Sequence, residues 1–522
     1  MRKLPVDISI FSELRQLDYV YVDKTEYMYH MITQGHRYFL SRPRRFGKSL
    51  LVSTLKEILS GRKELFNDLW ISTSDYHWNK YGIILLDFSF MKAESIEEFE
   101  KKLQDELIVI ARSYNITLHY DYVDSMLRQL ILMLFEQYGQ VAILIDEYDS
   151  PILHSLHNSL LATKIRDKIQ QFFGIIKATA SQVKFAFITG VSSFAKAGLF
   201  SGINDLQIIT LDKNFAAICG YTDSEVDIYL KEYIATWADA INMSYNNLRD
   251  KIQSWYNGYS FGHNVRKVYN PFSLMKAIRT QEFENFWFQS GTPTFLVEML
   301  KKEYKTFDPE YMTATKDFLS LFDVDTIPPL SLMFQAGYVT ITGYDDITQE
   351  YILSYPNREV TVSFQKYLLA VFTHTNPTTI QQLMLQLLNA LNNQDIERAI
   401  TVMQNIFAHI PYQLHINQER FYHSLLIMIC LGAGIQFHAE YSTSHGRIDL
   451  IMELSNIIYI TEIKFNSTAQ DALSQIENRR YYERFSTTKK HIILLGLSFN
   501  REPHNFSIDY ATKPLSPDHH TQ

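Results

Sequence analysis

The sequence predicts a multidomain α/β protein, and three observations lead there. The chain has 522 residues, more than one ordinary core organises. Its first two hundred or so residues alternate short apolar runs with amphipathic stretches of helical period, the pattern of a parallel sheet wrapped by helices. From Glu419 the order changes to helix, three strands, helix and strand, a second and different α/β unit.

In the first region, strands are expected at 38–40, 82–88, 141–146 and 184–189, and helices at 50–59, 96–114, 122–137 and 160–180. Residues 1–210 then form one parallel-sheet core. Residues 211–305 read as a helical lid region, with an amphipathic helix at 223–238 and aromatic turns at Trp255-Tyr256-Asn257-Gly258-Tyr259 and Tyr269-Asn270-Pro271. Residues 306–376 run helix (329–336), hairpin (338–342 and 351–353 around a polar turn) and helix (363–372), which suggests a winged-helix module. A helical linker, 377–415, holds helices at 380–392 and 396–407. The last domain, 416–513, has a helix at 419–432, strands at 435–441, 447–454 and 457–465, a helix at 468–485, and strands at 491–497 and 506–510. Residues 514–522 form a tail.

Composition narrows the class. Apolar residues make up 46% and charged residues 20%, the balance of a folded soluble chain. The two cysteines, Cys219 and Cys430, make neither a zinc site between them nor a disulfide scaffold. The first eleven residues lack the apolar segment of a signal peptide, and no apolar run approaches the roughly 18 residues of a membrane span. A cytoplasmic protein with no membrane partner is expected. The net charge of −8 does not advertise nucleic-acid binding. Residues 37–63 nevertheless hold eight Lys or Arg against one acid, Glu57. Such a positive island suits a polyphosphate ligand, with a solvated helix face as the plain alternative.

The run Ser41-Arg42-Pro43-Arg44-Arg45-Phe46-Gly47-Lys48-Ser49 joins the strand at 38–40 to the helix that follows. Gly47-Lys48-Ser49 has the chemistry of a phosphate-binding loop. There glycine lets N–H groups close on phosphate oxygens, lysine reaches the outer phosphates and serine binds magnesium, at a helix N-terminus that favours anions. Arg42 stands where such loops usually place their first glycine. The strand at 141–146 ends in Asp146-Glu147, where an aspartate can meet magnesium and a glutamate can activate water. Together the two halves predict an ATP–Mg²⁺ site. Its expected contacts are Arg44, Arg45, Phe46, Gly47, Lys48, Ser49, Leu50, Asp146 and Thr189, with Ser49 and Asp146 on the metal and Glu147 catalytic. Thr189, with Ser192 behind it, ends a third strand and could orient the attacking water; a strand cap is the alternative. Arg44 and Arg45 could meet phosphate or a neighbouring subunit, or be exposed basic residues.

A second constellation lies in Gly446-Arg447-Ile448-Asp449 and Glu462-Ile463-Lys464. Alternation puts Glu462 and Lys464 on one face of a strand, and Asp449 can join them from the neighbouring hairpin strand. Two carboxylates can hold Mg²⁺ or Mn²⁺, and Lys464 can position water or stabilise developing charge. The surrounding element order is that of the PD-(D/E)XK nuclease core. The next helix carries Gln475, Arg479 and Tyr482 at spacings of one face. In several nucleases that this element order resembles, a Gln on this helix meets the metal site or DNA, and that resemblance makes Gln475 a further catalytic candidate. Glu419 and Glu440 are further carboxylates near this site; a helix N-terminal residue complementing the dipole is the alternative for Glu419, and a same-face ion pair is the bland reading of Glu462 and Lys464.

The chain as a whole resembles bacterial AAA-ATPase-like proteins with a C-terminal PD-(D/E)XK nuclease domain. The resemblance rests on Tyr21-Val22-Asp23-Lys24-Thr25, the Arg42–Ser49 run, Ile145-Asp146-Glu147-Tyr148-Asp149, Thr189-Gly190-Val191-Ser192, Trp255-Tyr256-Asn257-Gly258-Tyr259, Asn270-Pro271, Gln335-Ala336-Gly337-Tyr338, Gly446-Arg447-Ile448-Asp449 and Glu462-Ile463-Lys464. In that group the loop typically begins Arg-Pro-Arg-Arg, so Arg42 is a group habit. The resemblance implies an AAA-type P-loop ATPase core at 1–210 and a nuclease-like fold at 416–513. It implies ATP binding in the first half. Both sites in one chain lead to the expectation of ATP hydrolysis coupled to a metal-dependent nuclease acting on nucleic acid, DNA before RNA, with a homo-oligomer as a candidate assembly and mobile-element or phage conflict as a candidate setting. The alternative is a nucleotide-switched binding or sensor protein whose nuclease-like domain recognises without cutting. A winged-helix transcription regulator is a third reading.

Overall fold

The computed structural model describes the chain except residues 195–199, 201–202, 204, 290–311, 321–327, 374, 411–418, 444–445, 486–487, 489, 503–504 and 516–522. The side chains of Glu419 and Glu440 lie outside the described residues, as do the ends of the expected lid and linker, the start of the winged-helix-like module and most of the tail. Among the described residues no helix is long and apolar enough to cross a membrane. The chain divides into two compact units. The first comprises the described residues of Met1–Leu296 and Pro309–Asn357, and the second those from Arg358 onward.

The first unit is built on five strands, β1 (Arg37–Ser41), β2 (Gly82–Asp87), β3 (Val141–Asp146), β4 (Val183–Gly190) and the two-residue β5 (Gln207–Ile208). All neighbours are parallel, in the order β2-β3-β4-β1-β5. Every residue of β1 and β3 is buried, which explains their near-continuous apolar runs: helices cover both faces. Because β4 lies between β1 and β3, the ends of all three, Ser41, Gly190 and Asp146, reach the same sheet edge. That carboxyl edge is where such sheets bind ligands.

The helix expected at 223–238 is two helices, Asp223–Tyr229 and Lys231–Ala240. The chain turns at Leu230 (φ −122°, ψ 0°), yet Val226, Leu230, Ile234 and Trp237 share one core, so the apolar period runs straight through the break. The Asn270-Pro271 pair is a helix start: Asn270 accepts the Ser273 N–H at 3.1 Å, and Pro271 opens Pro271–Thr280 where no N–H is needed. Farther on, β6 (Met312–Ala314), helices Lys316–Ser320 and Pro329–Ala336, β7 (Thr340–Asp345) and β8 (Glu350–Ser354) give an antiparallel sheet in the order β6-β8-β7. The helix expected at 363–372 to complete this module starts at Arg358 and belongs to the second unit, where its Leu369 and Ala370 join that core.

The second unit holds β9 (Gln436–Thr443), β10 (Gly446–Glu453), β11 (Ile457–Phe465), β12 (His491–Glu502) and β13 (Asn505–Leu515), ordered β13-β12-β11-β10-β9. Only the β11/β12 pair is parallel, and helix Ala469–Asn478 makes that crossover. Its face of the sheet buries Ile448, Ile451, Ile458, Ile460 and Leu494. Leu450, Tyr459, Ile463 and Leu495 go into the core shared with helices Pro377–Asn392, Ile396–Ala408 and Glu419–Gly432. The first two of these are the expected linker helices; their apolar faces make them part of this core. The helix expected at 468–485 stops at Asn478. Arg480 turns left-handed (φ 47°) and a short 3₁₀ turn, Tyr481–Phe485, follows, so helical period does not align Tyr482 with Gln475.

Gly496 sets how near the crossover helix comes. It pairs with Glu462 across β11/β12, and a Cβ there would lie 2.3 Å from Ala469 O and 2.6 Å from Leu473 N. Those are backbone atoms of a packed helix and cannot swing aside.

In the first unit, Arg42 is 1% exposed and has no carboxylate partner among its hydrogen bonds. Its guanidinium donates to the carbonyls of Ser41 (2.9 Å), Thr210 (2.8 Å) and Phe215 (3.1 Å) and lies 4.0 Å from the Phe261 ring centre. Burial pushes its pKa down to about 10.

Two outcomes follow. Arg42→Met leaves three carbonyls without their donor and should destabilise the first unit by about 3 kcal/mol or more, with Arg42→Lys intermediate because an ammonium cannot reproduce the fork. Thermal unfolding followed by tryptophan fluorescence reads this, since all five tryptophans lie between 70 and 287. Gly496→Ala should destabilise the second unit by about 1–3 kcal/mol through overpacking. Amide exchange should quicken between 457 and 515 while the tryptophan transition stays put.

Candidate active sites

At the carboxyl edge of the first sheet, β1 hands over to the loop that ends at Gly47. Gly47 has φ 89°, a left-handed conformation that L side chains resist, and it caps helix Lys48–Leu59. Arg45 is left-handed too (φ 67°), so the backbone curls twice before the helix. The first N–H groups of a helix have no acceptor of their own and point outward, a ready anion seat. The Lys48 side chain is 5% exposed and folds back on the loop, donating to Arg42 O at 3.0 Å and Pro43 O at 3.1 Å. Ser49 hydrogen-bonds the Asp146 carboxylate, which also accepts the Glu147 N–H at 3.0 Å. Burial pushes the pKa of Asp146 up to about 6, against the Ser49 bond and the Lys48 charge. A carboxylate and a hydroxyl, both hard oxygen donors beside an anion seat, fit a magnesium ion that keeps waters and phosphate oxygens as its other ligands.

Of these residues, Lys48, Ser49 and Glu147 line a cavity of about 480 Å³, within the range of nucleotide-sized ligands, and Asp146 stands behind them. Arg44, Arg45, Phe46, Gly47, Lys48, Ser49, Leu50 and Glu147 line it, and its far walls come from Pro5–Ser9, Tyr21, Ile218–Tyr221 and Phe272. Arg45 pairs with Asp7 at 2.9 Å and lies 4.6 Å from the Phe272 ring centre, joining the N-terminal segment to the loop. Arg44 is exposed. Phe46 is 1% exposed and packs edge-on against Tyr259 and Phe261, which anchors the loop. Thr189 does not reach this chemistry: its hydroxyl proton goes to Leu40 O at 2.8 Å, inside the sheet. Ser192 is fully buried.

Asp149 and Tyr148 entered the sequence reading only as part of the resemblance, with no role of their own. The buried Asp149 carboxylate takes the N–H groups of Val191 (3.1 Å) and Ser192 (2.6 Å), and the Tyr148 hydroxyl donates to Ser192 O at 2.9 Å. Both follow Asp146-Glu147 directly, so a polar Asp-Glu-Tyr-Asp run leaving a buried strand was the available signal. Lys24 was also passed over as a site builder. It is buried at the cavity wall and donates to Glu225 (2.6 Å) and Ala217 O (2.8 Å).

In the second unit, β11 alternates as expected. Ile458, Ile460, Glu462 and Lys464 share the face of the crossover helix, and Glu462 is 1% exposed. The β10/β11 ladder ends with Leu450 opposite Thr461, which leaves Asp449 beside Glu462; Asp449 Oδ2 accepts the Ile463 N–H at 2.9 Å. Glu462 Oε1 accepts from Lys464 Nζ at 3.3 Å and from the Gln475 amide. So Asp449, Glu462, Lys464 and Gln475 come together, and Gln475 reaches because Gly496 lets its helix sit close. Burial, then the Asp449 charge, push the pKa of Glu462 up to about 7, with Lys464 opposing.

Glu462 Oε2 is buried without a hydrogen-bond partner. Among the described residues no three His, Cys, Asp or Glu side chains are grouped so that they could hold a metal ion. Two repelling carboxylates with one orphaned oxygen fit a divalent cation bound by few protein ligands and completed by water or phosphate. His423, unmentioned by sequence reasoning, donates through Nε2 to Asp449 O at 2.9 Å and fixes that strand end. Tyr481 donates to Arg447 O at 2.8 Å beside it.

Comparison with known proteins finds a family for each of the two domains. A family model described as predicted AAA-ATPase matches residues 5–200, and one for the PD-(D/E)XK nuclease superfamily matches 417–507. A protein of Azotobacter chroococcum mcd 1, described as an uncharacterized protein in the vnfD 5′ region, is 35% identical over 515 residues, covering 96% of this chain and 97% of its own. The chain belongs to the family of predicted AAA-ATPase-like proteins that carry a C-terminal PD-(D/E)XK nuclease-superfamily domain.

Proposed function

We propose that the first unit binds and hydrolyses ATP with magnesium, and that the second cleaves nucleic acid, DNA in the first instance, at a divalent-metal site whose use depends on ATP. The observation that carries the reading is the pair of buried carboxylates, Asp146 and Glu462, each seated beside a lysine and a neutral hydrogen-bond donor. Lys48 exchanges its loop carbonyls for phosphate oxygens. Ser49 and Asp146 would hold magnesium, and Glu147, on the cavity wall, takes the proton of the attacking water. In the second unit Asp449 and Glu462 would hold Mg²⁺ or Mn²⁺, which polarises the phosphodiester when bound. Lys464 steadies the developing charge, and Gln475 orients Glu462. The strand–helix–helix–hairpin segment from β6 to β8 is read as a winged-helix-like part of the ATPase unit, the resemblance as favouring mobile-element or phage conflict, and the protein as cytoplasmic and self-associating.

The acidic net charge of −8 favours a second reading, a nucleotide-switched binder that does not cut. The variants separate the two. Lys48→Ala should weaken ATP binding by roughly tenfold or more in calorimetry. Glu147→Gln should keep ATP affinity and lose turnover by about 10²-fold or more, the scale of a lost general base. Duplex DNA incubated with Mg²⁺ or Mn²⁺ should be cut by the natural protein and left intact by Glu462→Ala. Equal cleavage by the two would remove the nuclease, leaving the switch. Gln475→Ala should weaken metal binding by about 10–100-fold, as loss of an orienting partner does.

A further inference from the structure

The Gln335-Ala336-Gly337-Tyr338 run is a sequence feature that neither site absorbs. Its meaning lies in the loop that follows β4. Four consecutive N–H groups there, from Val191 to Phe194, all end on side chains. Those of Val191 and Ser192 go to Asp149, and that of Phe194 goes to the Tyr148 hydroxyl at 3.2 Å. The fourth, from Ser193, goes to Gln335 Oε1 at 2.7 Å. Gln335 is 3% exposed, and its Nε2 donates to Leu319 O at 2.9 Å, so its amide is held at both ends. Of the three acceptor residues, Asp149, Tyr148 and Gln335, it alone lies outside the Asp-Glu-Tyr-Asp turn.

The same segment meets the phosphate loop. Gly337 abuts Pro43, where an added Cβ would lie 2.8 Å from Pro43 Cβ. Trp287, edge-on to Tyr338, donates to Arg44 O at 3.1 Å. Gln335–Tyr338 therefore borders both the phosphate loop and the loop bolted to Tyr148 and Asp149. Glu147 immediately precedes those residues and is itself left-handed (φ 49°), a conformation that a non-glycine residue keeps only when its surroundings impose it.

We infer that Gln335 is a positioning residue for ATP turnover: by holding Ser193 it locks the loop at 191–194 against Tyr148 and Asp149, and through them the orientation of Glu147. This rests on the ATPase reading above. Gln335 touches neither the cavity nor its phosphate end, so it governs the rate and leaves affinity alone.

The experiment uses the full chain with Mg²⁺ and ATP and measures ATP affinity and single-turnover hydrolysis separately. Gln335→Met, close in volume but without the acceptor, should slow hydrolysis at least tenfold while affinity stays within twofold. In a Glu147→Gln background the same change should have less than a twofold effect, because the group it serves is already gone. As the neutral acid, which burial favours, Gln335→Glu keeps the acceptor for Ser193 and a donor for Leu319 O, and should restore most of the rate. The inference falls if Gln335→Met hydrolyses ATP like the natural protein, if affinity falls in step with rate, or if the loss is the same in both backgrounds. Should Gln335→Met not fold, Gln335→Glu decides, and loss of its turnover with ATP binding intact overturns the inference. A natural protein that hydrolyses no ATP sinks the ATPase reading and this inference with it, whereas failure of the variants alone sinks only this one.

Discussion

The first unit depends on one buried cation. Arg42 occupies the place where many phosphate loops begin with glycine, and its side chain turns inward and does not line the cavity. It binds the carbonyls of Ser41, Thr210 and Phe215 and stacks on Phe261. One guanidinium thus joins the end of β1 to the stretch after β5 and to the aromatic turn that also receives Phe46. The loop beyond it is then launched from a fixed point, and two left-handed residues, Arg45 and Gly47, suffice to aim it at helix Lys48–Leu59. Burying a charge without a carboxylate is tolerable because a guanidinium offers several donors in a plane and carbonyl dipoles can meet them.

The second unit rests on a different constraint, the close approach of a helix to a sheet. Glu462 is desolvated by that helix and is held by Gln475 from it. The absence of a side chain at Gly496 makes both facts possible. Desolvation and Asp449 then favour the neutral acid, and a metal ion would reverse the balance. The two units therefore share a tactic. Each places a carboxylate in the C-terminal half of a strand under cover, so that a cation is the natural way to stabilise its charge.

Much of this was legible beforehand. All the strands of both sheets except the two-residue β5 were, because a strand covered on both faces must be almost wholly apolar, as Val141–Ile145 is, and a one-face alternation such as Glu462 and Lys464 survives where one side is polar. Gly47-Lys48-Ser49 and Asp146-Glu147 were legible because the chemistry demands those types at strand ends. Less visible were interruptions that keep the apolar period, such as the break at Leu230, and the early stop of the crossover helix at Asn478. Thr189 was attractive by position, but a hydroxyl at a strand end takes whichever acceptor is nearest, and that is Leu40 O.

By itself the sequence determined which elements form and which residue types meet at the two strand-end motifs, since burial periodicity and local backbone preference are written in consecutive residues. Only the tertiary structure decided that Arg42 is a buried tie, that Phe46 is an anchor, that Gly496 admits Gln475 to Glu462, and that Gln335 completes the loop held by Asp149. Each of those outcomes depends on a partner far away in the chain, 168 residues for Arg42 and Thr210, 142 for Gln335 and Ser193. Which distant backbone group a side chain will find is set by how the elements pack, and no local pattern carries that.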